Sequence, residues 1–265
     1  SRFFGLLIGT PFIGLNILNG GQFLLLFSFL FQIVSTYFIF KIKTKSVGES
    51  SSDEDIFSSI FKGIKYIYTN GLIFLIILTV AFHCAFVMSY ESIMPIFANE
   101  GLNDNTGKFL GYLIMMFGAG AIVGNLMLSN ANNNSIKSKY FVISAFGSGI
   151  FPMMLSFAGF LNGDLVITIS LSIIFLIGAC QSSFMSLTTT MIQKVVPDGI
   201  RGRIMSLYLL HAGGIMAFGN LILGNMADIF GYAWLFRLTG IAFLIYILFV
   251  LSTQRRFKAD IIAIL

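Results

Sequence analysis

The stretch "LVITISLSIIFLIGACQSSFMSLTTTMI" (Leu165–Ile192) contains no charged side chain. At 1.5 Å per residue a helix of that length rises about 42 Å, more than the roughly 30 Å hydrocarbon core of a bilayer. Its polar residues crowd into the second half, Gln181 to Thr190, so one face of that half is expected to be wetted or turned to other helices. The next residues reverse the character: "PDGIRGRIMSLY" (Pro197–Tyr208) sets Asp198, Arg201 and Arg203 within six positions. An uncharged run that ends in a charged turn reads as a membrane helix reaching the headgroups.

The same alternation extends through the chain. Of 265 residues, 57% are hydrophobic and 10% charged, against about 25% charged in a soluble domain. Apolar runs at about 3–18, 21–40, 71–98, 109–129, 139–161, 165–192, 204–227 and 232–252 give about eight transmembrane helices, an all-α polytopic membrane bundle. No charged n-region with a cleavage site precedes the first run, so no signal peptide is read, and the N-terminus is expected to be a cut. Cys84 and Cys180 fall in mid-span, which argues against a disulfide framework or a thiolate metal site.

The net charge of +5 raises nucleic acid as a partner, and the distribution of charge rejects it. Fourteen of the sixteen Lys and Arg lie at alternate loops or the termini; only Lys108 lies on the opposite side, and Arg237 lies within a span. Loops rich in Lys and Arg stay cytoplasmic, so both termini and the polar segment 41–70 are placed inside. Within that segment "SVGESSSDED" reads as flexible linker, and "IFSSIFKGIKYIY" as an amphipathic helix on the membrane surface. The chain then divides into 1–40 with two spans, the linker 41–70, and 71–265 with six.

The six spans carry a repeat. "GNLMLSN" (Gly124–Asn130) returns as "GNLILGN" (Gly219–Asn225), identical at five of seven positions. The copies lie three spans apart and so run in opposite directions, the pattern of a three-plus-three inverted repeat found in transporters. Gly120 and Gly124 in "GAGAIVG" have the GxxxG spacing that brings helices close, and with Gly219 they are read as packing positions.

Six spans, a cytoplasmic linker and "VPDGIRGRIMSLY" before a Gly-rich span resemble the C-terminal half of a major facilitator superfamily transporter. "GNMADIFGYAWLFRLTG" (Gly224–Gly240) is similar to the last helix–turn–helix of bacterial members, and the chain resembles the exporter branch that includes the enterobactin exporter and macrolide efflux proteins. The resemblance covers nearly the whole chain. It implies that residues 1–40 are the last two helices of the N-terminal half and that about four helices precede them. "IGTPFIGLNILNGG" (Ile8–Gly21) resembles the family's antiporter motif with Pro11 and Gly14 in place, although Thr10 stands where a glycine is usual. "LSNANNNSIKSKY" lacks the Asp-Arg pair of the family's signature loop.

The resemblance implies alternating access, with Asp198, Arg201 and Arg203 as a cytoplasmic gate. Pro197 is expected to stop one helix, Gly199 and Gly202 to allow a tight turn, and the arginines to bind helix C-terminal carbonyls or headgroups. Polar residues inside spans normally face a bundle interior or a water path, which selects His83, Tyr90, Glu91, Gln181 and His211 as candidates for a substrate and ion path. "GLNDNTGKF" (Gly101–Phe109) misses the phosphate-loop spacing, and no HExxH or GxSxG occurs; an enzyme is not expected, nor a cofactor or metal. The expectation is a proton-coupled exporter of an amphipathic small molecule, of the drug or siderophore class, monomeric in a bacterial inner membrane. A facilitator-fold importer and a non-transporting receptor or scaffold are the alternatives.

Overall fold

The computed structural model describes residues 20–41, 56–131, 133–160, 164–253, 261, 263 and 264. The expected span 3–18, the middle of the linker and Arg255, Arg256 and Lys258 lie outside them. Among the described residues every regular element is helical: α1 (Gly20–Phe40), α2 (Ile56–Thr69), α3 (Gly71–Gly101), α4 (Lys108–Ser129), α5 (Asn134–Leu155), α6 (Asp164–Val195), α7 (Asp198–Phe230) and α8 (Tyr232–Thr253), with one 3₁₀ turn at Ala158–Phe160. The all-α bundle follows directly from the apolar runs.

Among the described residues five helices, α3, α4, α6, α7 and α8, are long and apolar enough to cross a membrane, and the Phe29–Phe40 part of α1 is apolar but shorter. The segment expected as a span at 139–161 is a helix, α5, displaced toward the N-terminus, and it is not one of those five. It carries Lys137 and Lys139 in its first two turns and buries Ser138, Ser144 and Ser148, and so lacks the apolarity of its neighbours. It is nevertheless an integral helix, packed on both α6 and α8.

The linker's amphipathic segment forms α2. Phe57, Phe61 and Tyr68 are exposed, while Gly63 and Ile67 are buried where α2 crosses α7 and meets α3. Asn70 then caps α3, its side-chain oxygen accepting from the Ile73 N–H at 3.2 Å, as an N-cap should.

Helices α3 to α8 alternate in direction, so each gives one half of its length to either of two stacked cores. One core joins Ile76 and Val80 of α3, Phe141 of α5, Phe184 of α6, Ile204 and Tyr208 of α7, and Phe243 of α8. The other joins Tyr90, Ile93 and Phe97 of α3, Leu113 of α4, Ile174 of α6, Leu223 of α7, and Phe236 of α8.

The helix contacts have a symmetry that matches the sequence repeat. Helix α4 packs along α6, and α7 packs along α3; exchanging α3 with α6 and α4 with α7 interconverts the two contacts, and the α5–α8 contact maps onto itself. Glycines sit at each. A Cβ on Gly124 would lie 2.5 Å from the Ala179 carbonyl oxygen of α6, and one on its repeat partner Gly219 would lie 2.9 Å from the Ala85 carbonyl oxygen of α3. At the third contact a Cβ on Gly240 of α8 would lie 2.5 Å from the Gly149 carbonyl oxygen of α5. The missing side chains are what let these backbones touch.

Candidate functional site

Helix α3 is irregular where it passes from one core to the other. Regular α-helix ends at Phe82; π-helix follows over His83–Val87, 3₁₀-helix over Met88–Ser92, a short α-turn over Met94–Ile96 and π-helix again over Phe97–Gly101. Pro95 has no N–H to offer the ladder. The buried Ser89 hydroxyl lies 2.8 Å from the Cys84 carbonyl and 3.3 Å from the Met216 carbonyl of α7. It thereby meets carbonyls at the change of pitch, beside Gly219. Such departures from the α-helix recur at functional sites.

The irregular segment opens onto a cleft of about 250 Å³ between α3 and α4, lined by Tyr90, Glu91, Met94, Pro95, Leu110, Leu113, Ile114 and Phe117. The Tyr90 and Phe117 rings have centroids 6.2 Å apart. Glu91 is half-buried and Tyr90 buried. The wall is therefore apolar and aromatic with one carboxylate and one phenol, the composition of a small-molecule site in which a few polar groups orient a largely apolar ligand.

Of the five path candidates, only Tyr90 and Glu91 line this cleft. His83 has no exposed surface. Its ring stacks on Phe184 at 4.4 Å and meets Phe243 edge-on at 5.2 Å, and neither ring nitrogen has a hydrogen-bond partner among the described residues. It is a member of an aromatic core. Gln181 is 1% exposed with both amide atoms unpaired among the described residues, so it is not on a wetted face of this conformation. His211 on α7 is half-buried, with Nε2 unpaired among the described residues.

The charged turn is built differently from the expectation. Pro197 is the N-cap of α7, and helix begins at Asp198. Gly199 and Gly202 are inside that helix, neither has positive φ, and nothing lies within 4 Å of a Cβ on either. The reversal is accomplished by Val196 and Pro197 alone. Arg201 Nη2 lies 2.5 Å from an Asp198 carboxylate oxygen and donates to the Val196 carbonyl just beyond the end of α6, at 3.2 Å. The carbonyl-binding role expected of the arginines is thus realised by Arg201, with Asp198 in the first turn of α7, where the helix dipole favours negative charge.

Residues 14–263 match the transmembrane secretion effector family of the major facilitator superfamily. The chain belongs to that family. No curated protein and no solved structure gives a match. Family membership makes this a multi-pass membrane transporter rather than an enzyme, acting on a small molecule from within a lipid bilayer.

Two sites in this facilitator were not selected from the sequence. Asn125, second residue of the repeated Gly-Asn, donates to the Ala121 carbonyl at 3.1 Å and to the Ser182 hydroxyl, and accepts from Ser186 Oγ at 2.7 Å. It clips α4 to α6 beside Gly124. The signal was present as an amide in one repeat and a serine-rich run in another helix. Asp104, between α3 and α4, is the second. Its carboxylate accepts from Thr106 N and Oγ1 at 3.1 and 2.9 Å, Lys108 N at 3.2 Å, Phe109 N at 2.7 Å and Leu110 N at 3.0 Å. Desolvation pushes this carboxyl up, but the donors at Leu110, Thr106 and Phe109 together outweigh it and hold the group below its ordinary value of 3.8. The phosphate-loop-like "GLNDNTGKF" is thus the capping turn of α4.

Proposed function

We propose that this facilitator is a secondary active exporter that moves an amphipathic small molecule, of the drug or siderophore class, in exchange for protons by alternating access. The observation that carries the reading is the cleft at the irregular part of α3. An apolar solute with a polar end fits a wall of Met94, Leu110, Leu113, Ile114 and Phe117 on which Glu91 and Tyr90 are the polar groups. Glu91 is the candidate proton acceptor, being the carboxylate of the cleft wall. His83, Gln181 and His211 are proposed to join the path only in the other conformation.

In this reading residues 71–265 are the C-terminal half, residues 1–40 end the N-terminal half, and both termini face the cytoplasm of a bacterial inner membrane, with one copy sufficient. Asp198, Arg201 and Arg203 are the charges that change partners as the halves rock. The test is protection of the cleft. Ile114→Cys in the full-length protein should react with a small maleimide, and a transported solute should slow that reaction at least threefold. An unchanged rate in the presence of solute that is being transported would place the path elsewhere.

A further inference from the structure

Arg237 lies inside α8 and lines no part of the Glu91 cleft. It lies five residues past Tyr232, the first residue of α8, about 7.5 Å along the axis at 1.5 Å per residue. Its Nε donates to the Ser156 hydroxyl at 3.0 Å. Ser156 is 1% exposed and itself donates to the Met153 carbonyl at 2.6 Å. The guanidinium carbon stands 4.6 Å from the Phe157 ring centroid, 5.7 Å from Trp234 and 5.9 Å from Phe160. These three rings are 54%, 66% and 73% exposed, and Leu238 beside them is 52% exposed. The inward nitrogen is tied to a buried hydroxyl, and the two terminal amino groups have no acceptor among the described residues.

We infer that Arg237 and its three rings form a binding site for an anionic phospholipid, at the end of the bundle that carries the α7–α8 turn. The chemistry is complementary on both counts. A guanidinium without a carboxylate partner is costly beside hydrocarbon unless it reaches the headgroups, and its free fork matches two oxygens of a phosphate. Exposed Phe157, Phe160 and Trp234 give the upper acyl chain an aromatic wall, and a tryptophan at this depth belongs to the interfacial belt. Fixing of Nε by Ser156 keeps the fork aimed outward. A zwitterionic lipid offers the same phosphate but brings its own cation to the site, so the site should prefer an anionic headgroup.

Trp234 is the single tryptophan of the chain and so reports on the site. The experiment uses the intact protein in phosphatidylcholine vesicles, with any tryptophan beyond these 265 residues changed to phenylalanine. Small fractions of dibrominated phosphatidylglycerol or dibrominated phosphatidylcholine are added, and quenching of Trp234 is measured. The expected result is about fivefold stronger apparent binding of phosphatidylglycerol, the preference conferred by one basic residue near a membrane surface. It should fall to near unity in Arg237→Gln and survive in part in Arg237→Lys. Equal quenching by the two lipids in the wild type would overturn the proposal without any variant. So would a preference that persists in Arg237→Gln, which would leave Arg237 as a staple between α8 and the end of α5.

Discussion

Gly124→Ala offers the sharpest test of the helix contacts. The added Cβ would lie 2.5 Å from the Ala179 carbonyl oxygen, 2.8 Å from its Cα and 2.9 Å from its carbonyl carbon. All three are backbone atoms, so no rotamer change relieves them. Restoring ordinary contact near 3.4 Å requires α4 and α6 to separate by about 0.9 Å, a gap at which neighbouring contacts forfeit a quarter to a half of their dispersion energy. The same movement stretches the Asn125 bonds to Ser182 and Ser186. Overpacking of this kind costs about 1–3 kcal/mol, and loss of the clip adds about 0.6 kcal/mol at the average for interhelical hydrogen bonds in membranes. The control is Gly213→Ala on α7, where nothing lies within 4 Å of the new Cβ and the change should be neutral or stabilising by up to about 1 kcal/mol. Equilibrium unfolding in mixed lipid–detergent micelles would compare the two. Destabilisation by Gly124→Ala of less than about 0.5 kcal/mol relative to the control would refute the reasoning.

Four further outcomes are expected. Asp104→Asn should destabilise by about 1–2 kcal/mol at neutral pH, the scale of a lost N-cap. Because the folded carboxyl titrates below 3.8, this contribution is present above the unfolded value and lost as pH falls through the folded one, so wild type and variant should converge in unfolding experiments below about pH 4. Arg201→Ala should change stability by under about 1 kcal/mol, since exposed ion pairs contribute little and Asp198 is 87% exposed. It should nevertheless lower transport at matched expression, and equal loss of insertion and activity would reduce the pair to a topology signal. His83→Phe should keep the fold, since the ring packs against Phe184 and Phe243, and should alter the efflux–pH profile if His83 joins the path in the other conformation; an unchanged profile would leave it a packing group. With both termini inside, a cysteine at Asn103 should react with an impermeant reagent in intact cells and one at Ser135 should not.

The sequence showed the fold wherever one physical effect dominated. Long apolar runs have no stable fate but a membrane helix, so α3, α4, α6, α7 and α8 were readable, and a Gly-Asn repeat marked Gly124 and Gly219 before their partners Ala179 and Ala85 were known. Competing effects hid the rest. Helix α5 starts in a polar run, so its beginning is set by the Asn133 cap, whose side chain accepts from Ser135 N at 2.9 Å, and not by hydropathy. The pitch changes in α3 coincide with Ser89 meeting Met216 127 residues away, a contact no local pattern encodes. Gly199 and Gly202 suggested a turn, yet helix won there because Val196 and Pro197 already complete it. Polar residues in spans do not reveal which of them reach a surface: Glu91 lines a cleft while His83, eight residues earlier, is enclosed by aromatic rings.

Solute is proposed to cross the membrane through the Glu91 cleft at the expense of a proton gradient. The most direct measurement is efflux of a fluorescent amphipathic solute from vesicles containing the purified full-length protein, with a pH gradient imposed and then collapsed. The wild type should move solute only while the gradient stands, and Glu91→Gln should lose that gradient dependence while still binding the solute. Gradient-driven efflux of undiminished rate and unchanged pH profile in Glu91→Gln would contradict the account.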